Sequence, residues 1–170
     1  MTRKLFVIFV AVIVIIVVLP LTAFAEADGF RGIKWGTKLS TLKNMQLLEE
    51  TREGQKVYSR KEDQLRIGGA DLESIDYHFW QDKFYGVMVT CKGYQNFRFL
   101  KDSTFERFGA GSQTNPFMED YMWDGKTTGM VLKYNVISQK GSLSMFSREI
   151  QAIREIYQKE EAKKGAEKDF

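Results

Sequence analysis

The chain has one cysteine, one histidine and two prolines in 170 residues. A lone cysteine, Cys91, has no partner for an intramolecular disulfide. One histidine and one cysteine cannot build a zinc site alone. No Asp-x-Asp-x-Asp-Gly loop offers calcium its ligands. Gly68-Gly69 and Gly109-x-Gly111 lack the following Gly-x-x-Gly or Gly-Lys-Ser/Thr that aims amides at a phosphate. No Asn-x-Ser/Thr triplet marks a glycan acceptor, and no Pro/Ser-rich linker divides the chain. No metal and no cofactor are therefore expected.

Charge of one sign is also scarce. The formal charge of +3 includes Arg3 and Lys4; the rest of the chain carries 23 basic and 22 acidic side chains. So small an excess has little long-range field, and the pI of 8.9 does not argue for nucleic-acid binding.

What the chain does have begins at its N-terminus. Arg3 and Lys4 precede an uncharged apolar run over residues 5–19, followed by Pro20 and the small-x-small pattern Ala23-Phe24-Ala25. This reads as a signal peptide, residues 1–25, cleaved after Ala25. The competing reading is a retained membrane anchor. Residues 5–19 as a helix reach roughly 22 Å, short of the roughly 30 Å hydrocarbon core. Counting on to Ala25 reaches roughly 31 Å, but Pro20 works against one continuous helix. The expected location is the periplasm or the exterior. With no cysteine near the cleavage site, no lipid anchor is expected.

The remaining residues have the length of one domain, long enough to bury a core without staples. Residues 26–29 read as a flexible lead. Ile33 and Trp35 have strand spacing, and Thr37 reads as the N-cap of a short helix to residue 43. Short strands are expected at 45–49, 56–60 and 65–67. Residues 74–80 alternate Ile75, Tyr77 and Phe79 with Asp76 and His78. After a polar turn, residues 84–92 place Tyr85, Val87, Val89 and Cys91 on one face, completing a hairpin. Asn96 reads as the N-cap of a helix over 97–108, with Phe97, Leu100, Thr104 and Phe108 on one stripe and Gly109 closing it. A second hairpin, 118–123 with 126–134, is expected to turn at Asp124-Gly125 in a type I′ geometry. A last strand covers 141–147. A helix over 149–164 carries Ile150, Ile153 and Tyr157 on one stripe. The domain is expected to end at 157, with a charged, frayed tail over 158–170. The fold class is α+β: a mainly antiparallel sheet of about five to seven strands with helices packed on one face.

Candidate chemistry is thin. His78 lies near Asp76, but no Ser, Cys or second His completes a nucleophilic site, so a solvated surface histidine is expected. Cys91 reads as a small buried residue on a strand. Trp80 and Trp123 each end a strand before a polar turn. With Phe84 and Tyr121 they form a candidate aromatic ligand platform, the alternative being that they cap the core. The lysines after residue 158 alternate with glutamates and read as a solvated helix end.

The stretch Gly32-Ile-Lys-Trp-Gly-Thr37 behind the leader resembles small secreted bacterial proteins that begin Gly-Ile-x-Trp-Gly-Thr. Phe79-Trp-Gln-Asp-Lys-Phe-Tyr-Gly-Val-Met-Val89, the helix ending in Phe108-Gly109 and the strand near Trp123 are similar to theirs. The resemblance implies a bacterial envelope location and no assigned activity. The sequence thus leads to an exported, non-enzymatic binding or accessory protein using a strand edge or an aromatic surface. Its expected partner is another envelope protein, not nucleic acid, and it has no membrane span after cleavage. An envelope hydrolase with unidentified carboxylates, or a membrane-tethered structural subunit if the leader stays attached, are the alternatives.

Overall fold

The computed structural model describes residues 26–51 and 54–169. The leader and its cleavage site lie outside the described residues. The elements are β1 (Gly29–Phe30), β2 (Ile33–Lys34), a 3-10 turn (Leu39–Thr41), β3 (Met45–Glu50), β4 (Gln55–Arg60), β5 (Arg66–Ile67), β6 (Ala70–Asp71), β7 (Ser74–Trp80), β8 (Lys83–Lys92), α1 (Tyr94–Phe108), β9 (Asp120–Asp124), β10 (Thr128–Asn135), β11 (Lys140–Ser147) and α2 (Arg148–Asp169).

Seven strands form one antiparallel sheet in the order β3-β4-β7-β8-β11-β10-β9, with two small hairpins, β1-β2 and β5-β6, beside it. Two meanders meet at the β8–β11 pairing, where Cys91 faces Gly141 and Val89 faces Leu143. Period-two alternation sends Ile75, Tyr77, Phe79, Val87, Val89, Cys91, Leu132, Leu143 and Met145 to one face, all buried. Helix α1 covers that face with Phe97 and Leu100. Gly141 is there because nothing larger fits: a Cβ would stand 2.7 Å from Cys91 Sγ and 2.8 Å from the Phe97 ring.

The α+β class stands. The helices, expected on one face, divide between the two. Pairing skips a residue on β8, so that His78 faces Gly86 and Phe79 faces Phe84, leaving Tyr85 as the extra residue of a bulge. Phe84 therefore points into the main core, while Tyr85, expected to share a face with Val87, turns to the opposite side. There it joins Trp80 and Ile150 of α2 in a second small core. Helix α2 continues through Asp169, past the apolar stripe that ends at Tyr157. Lys164 and Glu161 pair one turn apart in its charged stretch.

Four local expectations fail for identifiable reasons. The helix expected after Thr37 is only the Leu39–Thr41 turn, with Lys38 extended. Its backbone is spent on β8 instead: Gly36 N–H donates to the Phe84 carbonyl, Phe84 N–H to that of Thr37, and Leu39 N–H to that of Asp82. The lead is not free, because the Glu26 carboxylate accepts the N–H groups of Thr127 and Thr128. Those bonds hold the 125–127 connection between β9 and β10, and Asp124-Gly125 is not the expected type I′ turn, because neither residue has a positive φ. The turn with two left-handed central residues is Gln81-Asp82, φ 48° and 65°, between β7 and β8. Finally, α1 starts at Tyr94, before Asn96. The Asn96 side chain ties other segments together, accepting the Asp71 N–H and donating to the Lys92 carbonyl.

Candidate functional site

The four aromatics of the sequence-read platform do not share a surface. Trp80 is buried beneath α2, its ring 5.6 Å from that of Tyr157. Phe84 is fully buried on the other face, between Trp35, Tyr77 and Phe79. Tyr121 and Trp123, two apart on β9, flank Phe105 of α1 with centroids 5.0 and 5.8 Å away. Trp123 Nε1 donates to the Gly109 carbonyl, fixing the end of α1. A cavity of about 860 Å³ opens beside Trp123, lined by Phe108, Met130, Thr128 and Lys126. Only the Tyr121–Trp123 half of the platform is brought together, and it is half-buried.

The ionisable groups gather in three places. Asp63, with 5% of its side chain exposed, pairs with Arg60 at 2.5 Å and Arg31 at 3.5 Å. It also accepts the Tyr77 hydroxyl at 2.5 Å. Burial, then this carboxylate, pushes the Tyr77 hydroxyl far above the usual tyrosine range. Glu119 collects the Tyr94 hydroxyl, the Lys101 ammonium and the Tyr121 hydroxyl at 2.6–2.9 Å. Burial works to raise its pKa, but those three donors outweigh it and hold the carboxyl below its usual range. His78, expected in solvent, lies half-buried under α2. Its Nδ1 is 3.1 Å from the Gln55 amide nitrogen, Gln55 in turn accepts from Arg154, and Arg154 stacks over Tyr85. Burial pushes its pKa down. The bulge that flips Tyr85 and the arrival of α2 create this environment, and neither is written in the local alternation.

Each cluster holds segments of the chain together. Asp63 links the β1-β2 hairpin to β4 and β7, Glu119 joins β9 to α1, and the His78–Gln55–Arg154 chain joins the sheet to α2. Among the described residues, no three His, Cys, Asp or Glu are placed to hold a metal ion.

A different feature is left open. β9 and β3 are the sheet's edges. The outer side of β9 is covered at Met122, which exchanges backbone bonds with Ser112 and accepts its hydroxyl. Among the described residues, no strand pairs with the outer side of β3. Asn44 accepts the Lys61 N–H from the β4 side, so by antiparallel alternation the amide groups of Gln46 face β4 and those of Met45 and Leu47 face outward. A bulge at Leu48 interrupts the register there. Leu47 and Leu48 are 48% and 53% exposed. The sequence marks a strand at this position but not its place in the sheet, which depends on the pairing order of distant segments.

Compared with known proteins, the chain matches no family model, no curated protein and no solved structure.

Proposed function

We propose that the chain is an exported, non-enzymatic accessory protein that binds an extended segment of another envelope protein by strand addition at the outer edge of β3. The observation that carries this is the open edge: outward backbone groups at Met45 and Leu47 beside two half-exposed leucines. An unpaired edge is a template for another strand, with main-chain bonds supplying affinity and side-chain pockets supplying selectivity. The asymmetry between the edges supports the reading, since β9 is blocked by Ser112 and β3 is met by no strand among the described residues. A non-enzymatic role is supported by the internal use of the ionisable clusters. Export rests on the leader at residues 1–25, with cleavage leaving an exposed Glu26 as the new chain end.

The test combines a block and a trap. Leu47→Pro deletes an outward N–H and spares the β3–β4 ladder, so the fold should tolerate it with a cooperative melt retained. A photo-crosslinking residue in place of Leu48 should join the exported protein to one defined partner, and Leu47→Pro should abolish that product. Crosslinking that persists unchanged with Leu47→Pro refutes strand addition. Intact mass of the exported protein reports the leader: loss of residues 1–25 is expected, and their retention would leave a tethered subunit.

A further inference from the structure

At the far end of the sheet from Glu26, two loops project together. Pairing of Asp120 with Lys133 continues into a bond from the Tyr134 N–H to the Glu119 carbonyl, so the 112–119 and 135–139 loops lie side by side. Their tips are apolar and out in solvent: Phe117 is 95% exposed, Met118 55%, Val136 77% and Ile137 97%. Internal bonds hold both loops in shape. Phe117 N–H donates to the Asn115 side chain, Met118 N–H to the Asn115 carbonyl, and Ser138 N–H to the Asn135 side chain. Residues 112–118 and 135–139 carry no charge.

Behind the tip comes an aromatic, Tyr94, half-exposed and 5.3 Å from Tyr134. Behind that comes a cationic collar of Lys92, Arg98, Lys101, Lys133 and Lys140. Three of its lysines are already paired, Lys101 with Glu119, Lys133 with Asp120 and Lys140 with Glu73, and Asp102 stands one turn from Arg98 on α1, which leaves Lys92 as the surplus charge. The collar therefore keeps a positive excess, with Lys92 folded toward the 135–139 loop through the Ser138 carbonyl.

We propose that this tip docks on an anionic lipid surface, with Phe117, Met118, Val136 and Ile137 entering the boundary between headgroups and acyl chains. The order apolar tip, amphipathic aromatic, cationic ring is the order of environments met on entering a bilayer from water. Both loops extend past the β9–β10 pairing, which suits insertion. β10 spans Thr128–Asn135, so the tip stands roughly 24 Å along the strand from the Glu26 anchor point at Thr128. A cleaved chain is free to present this end to a membrane.

The experiment uses exported protein and vesicles of phosphatidylethanolamine with one quarter phosphatidylglycerol, against vesicles of phosphatidylcholine alone. Co-sedimentation should favour the anionic vesicles and weaken with added salt. The double variant Phe117→Asp/Ile137→Asp should lose binding by roughly tenfold or more while keeping its thermal midpoint, because both side chains are free of packing. Three results would overturn the proposal: no binding to anionic vesicles, binding indifferent to the double variant, or self-association that the same variant abolishes, which would make the tip a protein contact. Leu47→Pro should leave vesicle binding intact, which separates a failure here from a failure at the β3 edge.

Discussion

Removing the Asp63 charge tests how the N-terminal hairpin is held to the sheet. In Asp63→Asn the shape is kept, and Tyr77 still finds an acceptor, but Arg60 and Arg31 lose their counter-charge. Breaking a fully buried ion pair from one side costs about 3–5 kcal/mol. Here the arginine side chains remain 28% and 22% exposed, so water recovers part of their solvation. That lowers the expected loss to about 2–3 kcal/mol. For a domain of this size the thermal midpoint should then fall by roughly 5–10 °C. Urea unfolding should show a lower midpoint and an unchanged slope. Tyr77→Phe removes a hydrogen bond to a charged acceptor and should cost about 1.5 kcal/mol. The two changes should not add, because both act on one carboxylate. Tyr77 also sets an alkaline limit. Its folded pKa is raised, chiefly by burial, so the unfolded chain releases that proton first, near pH 10. Stability should fall above that pH, and less steeply in Tyr77→Phe. A loss below about 0.5 kcal/mol in Asp63→Asn, the level of an exposed pair, would refute the reasoning.

Three further outcomes are expected. His78 is held below its usual pKa by burial, so the unfolded state takes up the proton first on acidification; stability should fall below about pH 6.5, and His78→Gln should flatten that limb in pH-resolved urea melts. Gly141→Ala should cost about 1–3 kcal/mol by forcing Phe97 and Cys91 apart, whereas Gly165→Ala, with open space around it on α2, should gain a few tenths to about 1 kcal/mol. Trp123→Ala removes the contact with Phe105 and the donor to the Gly109 carbonyl, so it should cost about 2–4 kcal/mol in denaturant titration, a core effect.

The readable parts of this fold are those set by short-range periodicity. Alternation at Ile75-Tyr77-Phe79 and Val87-Val89-Cys91 marks two central strands, and the Phe97-Leu100-Thr104 spacing marks α1 with its buried stripe. The misread parts depend on partners distant in sequence. Thr37 has good cap chemistry, but its carbonyl is claimed by Phe84. Asp124-Gly125 has the composition of a tight turn, but Glu26 reshapes the loop from a hundred residues away. Tyr85 follows the period of its strand on paper, and a single bulged residue reverses it. The candidate surfaces were less legible. An edge strand is an edge only once its neighbours are known, and although Ile137 falls in a connection on paper, its loop comes to lie beside that of Phe117 only through the β9–β10 pairing.

Cys91 has a consequence for handling this protein under oxidising conditions. The thiol is fully enclosed by Phe97 and the Gly141 backbone, and burial pushes its pKa up, so it is both unreachable and un-ionised. Its labelling by a maleimide becomes a clock for the lifting of α1 from the sheet. Any covalent dimer in a stored sample then counts molecules whose helix had come away, a record of past excursions that no equilibrium melt preserves.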